Sequence, residues 1–223
     1  MATLAERLAA VTQDVAAAAR DAGRSPAEIT TVVVTKFHPA SLVRELASLG
    51  VRDVGENRHQ EAAVKAQELA HLGLTWHFVG QLQGNKAAAA LEYASVIHSV
   101  DRPSLVDAIA KAQRPVGVFL QLNLTDDPNR GGVALDGLEA LAERVLATEQ
   151  LELLGVMAVA ALGADPRSEF ARVRAASDRL VSLAPTATKL SMGMSGDFRE
   201  AIAEGATHLR IGTAITGNRP PPS

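Results

Sequence analysis

Eight short runs of strand-forming residues are each separated from the next by a stretch with helical periodicity, and this alternation constrains the chain most. The runs lie at 30–35, 53–54, 76–79, 96–98, 116–123, 152–158, 189–191 and 208–211. Helices are predicted between them over 40–49, 58–71, 85–92, 103–113, 135–148, 167–183 and 197–204. A first helix over 4–22 keeps Leu4, Leu8, Val11, Val15 and Ala19 on one apolar face. Strict alternation implies parallel strands joined by right-handed crossovers. Eight such units in 223 residues suit a single (β/α)8 TIM barrel, whose range starts near ~200 residues. A doubly wound open sheet shares the local alternation and is the alternative. The barrel is expected over 1–217, with a flexible tail at 218–223.

The first run, TTVVVTKFH at 30–38, is β-branched and suits a strand buried on both faces. Lys36 falls where that strand leaves the sheet, and Pro39 suits a helix start. A lysine held among apolar walls loses hydration, and its neutral amine becomes a usable nucleophile. The competing reading is a strand-end lysine that snorkels into water.

Barrel active sites lie at the C-terminal ends of the strands, and the loops after strands seven and eight often hold phosphate. Here those loops read SMGMSGD at 191–197 and RIGTAITG at 210–217. Small residues let backbone N–H groups approach an anion, hydroxyls add donors, and a helix N-terminus adds a favourable dipole. The competing reading is turn chemistry, with Ser195 or Asp197 capping the next helix. A Schiff-base lysine and a phosphate cup at one mouth fit an aldehyde that carries a phosphate, so pyridoxal 5′-phosphate (PLP) is the expected cofactor. An arginine at 210 facing the pyridine nitrogen would disfavour its protonation and weaken the electron sink. A salt-bridged rim residue is the other reading of Arg210.

Other classes find little support. Net charge is −3 with lysine and arginine spread along the chain, so no nucleic-acid groove is expected. No apolar run approaches the ~18 residues of a membrane span, and no cysteine is present. Glu6 and Asp14 within an amphipathic start argue against a targeting segment, which makes the cytoplasm the expected location. The six histidines, at 38, 59, 71, 77, 98 and 208, lack metal-ligand spacing, and no metal is expected. Lys86 could reach the mouth after the third strand, although a solvated helix lysine is the plainer reading. Asp126 to Asn129 reads as a turn.

The segments VVVTK at 32–36, GENRHQE at 55–61, WHFVGQLQGNK at 76–86 and SMGMSGDFREAIAEGATHLRIGTAITG at 191–217 together resemble the YggS/PROSC family of PLP homeostasis proteins. The resemblance runs from Val32 to Gly217. It implies a monomeric barrel similar to the N-terminal domain of bacterial alanine racemase. It also implies a Schiff base between Lys36 and PLP, phosphate contacts from Ser195, Gly212 and Thr213, and Arg210 facing the pyridine nitrogen. Asn57 and Met157 would line the ring pocket. The chain departs from the family pattern at Thr216, at Arg130 and in lacking a proline after Val159, which bears on the ring pocket.

Racemases of this fold use a tyrosine from an additional domain of a partner subunit. The sequence ends just after the eighth strand, and its one tyrosine, Tyr93, is expected on an outer helix. The expectation is therefore a protein without catalytic residues that binds, buffers or delivers PLP, with PLP-dependent apo-enzymes as partners. The rivals are a weak amino-acid racemase and a Schiff-base aldolase acting on a phosphorylated sugar. The aldolase needs a proton shuttle near Lys36, for which Glu56 and Asp126 are the candidates.

Overall fold

Strand β1 (Thr30–Val34) pairs with β2 (Asp53–Glu56) on one side and β8 (His208–Ile211) on the other, and the second pairing closes the sheet. In the computed structural model, which describes residues 2–125, 127 and 130–218, Thr30 stands opposite His208 and Val32 opposite Arg210. The remaining strands are β3 (Thr75–Phe78), β4 (Val96–Val100), β5 (Val116–Gln121), β6 (Leu151–Met157) and β7 (Lys189–Ser191). All neighbours run parallel in chain order. An open doubly wound sheet has no such closing pair, so the architecture is the (β/α)8 barrel.

The connecting helices are α2 (Ala40–Ser48), α3 (His59–Glu68), α4 (Gly84–Leu91), α5 (Pro103–Ile109), α6 (Leu138–Leu146), α7 (Pro166–Leu183) and α8 (Phe198–Ala203). A barrel that begins with β1 needs a helix after β8, but there the chain makes only the four-residue α9 (Thr213–Thr216). Helix α1 (Leu4–Asp21), which precedes β1, packs against α8 and α9 and fills that place in the ring. Thr3 and Glu6 form its capping box, and Arg7 Nε donates to the Ile215 carbonyl at 2.7 Å, tying α1 to α9. Its buried face of Leu4, Val11, Val15, Ala18 and Ala19 joins Val33, Leu209 and Ile211 in the apolar layer between strands and helices. Fully burying a leucine or valine there stabilises the fold by about 1.5–3 kcal/mol.

Element edges depart from the sequence reading where tertiary contacts outweigh local preference. Strand β2 runs on to Glu56, a charged residue made acceptable by its Lys65 and Thr35 partners. Helix α5 stops at Ile109, and α6 starts only at Leu138, after a turn in which Gly137 N–H donates to the Ala134 carbonyl. Of the expected turn at 126–129 only Asp127 lies within the described residues, and of the expected tail only Asn218.

The barrel interior is polar at its centre. His98 and His208 flank Phe119, with ring centroids 4.6 and 5.2 Å away, and His77 lies 5.1 Å from His98. Branched aliphatic layers usually fill this space. Beside β1 the interior is instead narrow and apolar. A Cβ on Gly55 would come within 3.0 Å of Val32 and 3.3 Å of Val34.

Candidate functional site

The strand ends of β1, β2, β3, β6, β7 and β8 surround a cavity of about 370 Å3. Val34 and Lys36 enter it from β1, Asn57 from β2, Val79 and Gly80 from β3, and Val159 from β6. Met194, Ser195 and Gly196 follow β7, while Arg210, Gly212 and Thr213 come from β8 and its loop. A cavity of about 500 Å3 at the opposite end is lined by 110–115, Glu149 and Gln150 and holds none of the candidate residues.

Val34, the last residue of β1, and Lys36, in the turn that follows, both line the cavity. Lys36 is exposed at the cavity rim, so of the two readings of this residue the structure has the strand-end lysine that reaches into water, not one held among apolar walls. The reason is local: β1 ends at Val34, and the chain turns at Phe37 with a left-handed φ of 67°. That conformation costs a non-glycine residue about 1–2 kcal/mol. Helix α3 offsets it. Glu61 accepts from the Phe37 N–H at 3.0 Å, and the Arg58 guanidinium lies 4.8 Å from the Phe37 ring centroid. Lys65 Nζ donates to the Thr35 carbonyl at 2.9 Å and to Glu56 Oε1 at 2.6 Å. Both neighbours of Lys36 are therefore anchored on one helix while its own side chain stays open.

Across the cavity the two glycine-rich loops meet. Asp197 occupies the position before α8 but makes no side-chain cap; its carboxylate accepts from the Met194 N–H at 2.6 Å. Ser195 Oγ accepts from Ala214 N–H at 3.5 Å, linking the loop after β7 to α9. Neither residue caps α8. Gly193 has φ +93°, and a Cβ there would sit 2.6 Å from Ala201 Cβ, so only glycine passes. Its carbonyl accepts from Arg210 N–H at 2.9 Å.

The Arg210 side chain is buried rather than salt-bridged at the rim. Its Nη1 donates to the Ser191 carbonyl (2.8 Å) and Oγ (2.7 Å), and Nη2 donates to the Ala158 carbonyl (2.9 Å). Burial lowers its pKa to about 10, with Asp197 opposing the shift, so it carries its charge at neutral pH.

Asn57 and Met157 differ. Asn57 lines the cavity, and its Oδ1 is buried without a hydrogen-bond partner among the described residues. Gly80 makes room for it, because a Cβ there would come 2.5 Å from Asn57 Cβ. Met157 is 2% exposed and absent from the lining, where Val159 stands instead. The sequence reading missed Val34, Val79, Gly80 and Val159, whereas Met194 and Gly196 belong to the loop at 191–197 that it had singled out. Glu56 is buried with Lys65 and Thr35 and does not line the cavity, and Tyr93 and Lys86 do not line it either. Tyr93 lies past the end of α4, stacked on His59, and burial lifts its phenol above the ordinary range. Asp126 lies outside the described residues. Thr216 is buried in α9, and Arg130 lines a separate 170 Å3 cavity that shares Val159.

The model of the alanine racemase N-terminal domain matches residues 7–220. A pyridoxal phosphate homeostasis protein of Pseudomonas aeruginosa is 42% identical over 98% of this chain and 97% of its own length. One from Escherichia coli is 40% identical over 97% of each. The chain belongs to the YggS/PROSC family of pyridoxal phosphate homeostasis proteins. Among solved structures, PipY of Synechococcus elongatus with PLP bound is 36% identical, with a TM-score of 0.84 over 96% of this chain and all of that one.

The site residues fit the cofactor of this family. A cavity of about 370 Å3 lies within the ~300–1,000 Å3 usual for small-ligand sites. It offers an amine at Lys36, hydroxyls at Ser195 and Thr213, a cation at Arg210 and an orphaned buried acceptor at Asn57. Among the described residues no helix is long and apolar enough to cross a membrane, and no group of three or more His, Asp or Glu could hold a metal ion.

Proposed function

We propose that this protein holds PLP at Lys36 as a Schiff base and keeps it available, without turning over amino acids. The observation that carries this reading is the convergence of an exposed amine, a buried guanidinium and two hydroxyl-bearing loops on one cavity. When bound, PLP supplies an aldehyde that condenses with amines and a pyridine ring that can act as an electron sink. Lys36 provides the amine. Ser195 and Thr213, with the backbone around Gly212, receive the phosphate. Arg210 sits toward the pyridine nitrogen, where its positive charge disfavours ring protonation. Asn57 and Val159 bound the ring.

Exposure of Lys36 supports a holding role. Water and incoming amines reach its Nζ, so release and transfer need no lid to open. No tyrosine lines the cavity to act as a second acid or base, which weighs against racemisation. The buried setting of Glu56, tied to Lys65, weighs against an aldolase shuttle. On this reading the protein works in the cytoplasm as a monomer and passes PLP to PLP-dependent apo-enzymes. Borohydride treatment of the protein with PLP, followed by peptide mass mapping, tests the assignment. A phosphopyridoxyl adduct at Lys36 is expected; an adduct only at other lysines would overturn it.

A further inference from the structure

A continuous line of hydrogen bonds runs through the barrel from the cofactor cavity to the opposite end. Arg210 Nη1 donates to Ser191 Oγ at 2.7 Å, and Ser191 Oγ meets His98 Nδ1 at 2.8 Å. His98 Nε2 meets His77 Nδ1 at 2.9 Å, and His77 Nε2 meets Asp53 Oδ1 at 2.9 Å. Ser191 and His98 are fully buried and His77 nearly so, whereas the Asp53 side chain is 32% exposed. Asp53 opens into a cavity of about 440 Å3 at the base of the barrel.

The chemistry of the links gives the chain a direction. A guanidinium only donates, and an ionised carboxylate only accepts. Ser191 accepts from Arg210, so its hydroxyl proton is free to point at His98 Nδ1. His98 then carries its proton on Nε2 and donates to His77 Nδ1. His77 in turn carries its proton on Nε2 and donates to Asp53. With both imidazoles neutral, this arrangement satisfies every link. The reverse direction leaves His77 Nε2 facing a carboxylate with no proton between them.

We propose that Asp53, His77, His98 and Ser191 are positioning residues that form one directional hydrogen-bond chain and hold the Arg210 guanidinium toward the cofactor ring. The charge at the barrel base thereby contributes to the field at the ring nitrogen. Burial, with His77, Arg210 and His208 nearby, pulls the His98 pKa well below 6.5, in keeping with a neutral link. The other titratable group beside the chain is His208, whose ring lies 6.3 Å from that of His98 and whose Nδ1 bonds Thr207 Oγ1 at 2.9 Å; the exposed Lys189 on β7 acts on His208 through its charge. A core of buried polar groups costs stability unless every member is satisfied, and an apolar filling would serve packing alone. An unbroken chain ending on Arg210 is what a positioning role requires.

The first test needs no cofactor. In protein labelled with 15N-histidine near neutral pH, the imidazole spectra are expected to show His77 and His98 both neutral and protonated on Nε2. An Nδ1-protonated or imidazolium form at either residue overturns the proposal. The second test follows the pyridine resonance of 15N-labelled PLP on the protein. Ser191→Ala is expected to move that resonance and raise the half-saturating PLP concentration about fivefold, the effect of one hydrogen bond. Asp53→Asn, at the exposed end, is expected to move it as well, because it removes the charge on which the chain terminates. A ring resonance unmoved in Asp53→Asn overturns the proposal even if Ser191→Ala fails to fold. This second test rests on the cofactor reading. If wild-type protein binds no PLP, that reading fails, while the histidine spectra still decide the chain.

Discussion

The Lys65 ammonium donates at 2.9 Å to the carbonyl of Thr35, the residue immediately before Lys36. Lys65 is 6% exposed and also pairs with the fully buried Glu56, so one side chain joins α3, the end of β2 and the backbone beside the cofactor lysine. Removing one partner of a buried pair leaves the other uncompensated. Lys65→Met is therefore expected to destabilise the protein by about 3 kcal/mol, measured by urea unfolding. PLP binding should weaken as well, because the Thr35–Phe37 turn loses an anchor.

Gly193 carries the loop between β7 and α8. An alanine there meets Ala201 Cβ at 2.6 Å with φ at +93°, so both overlap and backbone strain oppose it. Gly193→Ala is expected to cost about 2–4 kcal/mol in urea unfolding and to lower PLP affinity, since the loop carrying Ser195 must shift. Gly196→Ala meets nothing within 4 Å and is the matched control for stability.

The histidines inside the barrel set an acid limit. Burial, followed by the nearby His77, lowers the pKa of His208 from 6.5 to about 4. As pH falls, the unfolded chain takes up this proton before the folded one does. The stabilisation is therefore complete above pH 6.5 and is lost progressively toward pH 4. His208 alone accounts for about 3 kcal/mol at the acid end, and His98 adds to it in the same direction. Urea unfolding between pH 7.5 and 4.5 should show the decline, with a shallower slope in His208→Gln.

Much of this was legible because it is written in local patterns. Alternating periods mark the strands and helices, and Lys36, Ser195, Gly212, Thr213 and Arg210 lie at strand ends where barrel chemistry is expected. All five line the cavity. The interior was not legible. His77, His98 and Ser191 have no telling spacing, because strand register and closure bring them together, not sequence. The same holds for Lys65, whose place on α3 reads as a solvated helix face until the helix packs beside Thr35. Helix α9 is too short to show a period. Val159 replaced Met157 at the cavity because β6 ends at Met157, and the chain beyond it turns toward the mouth.

A single amine and a cation beside the ring make a poor racemase. L-Alanine incubated in D2O with the PLP-loaded protein is expected to keep its α-proton at the rate seen with free PLP, followed by proton NMR. Exchange well above that rate would return the racemase reading to the lead.

An absorbance titration with PLP shows whether Lys36 holds the cofactor. Wild-type protein is expected to develop a borohydride-reducible imine band that saturates at one PLP per chain, and Lys36→Ala is expected to show none. A wild-type protein with no imine band, or a Lys36→Ala variant that retains it, would mean that Lys36 does not hold PLP.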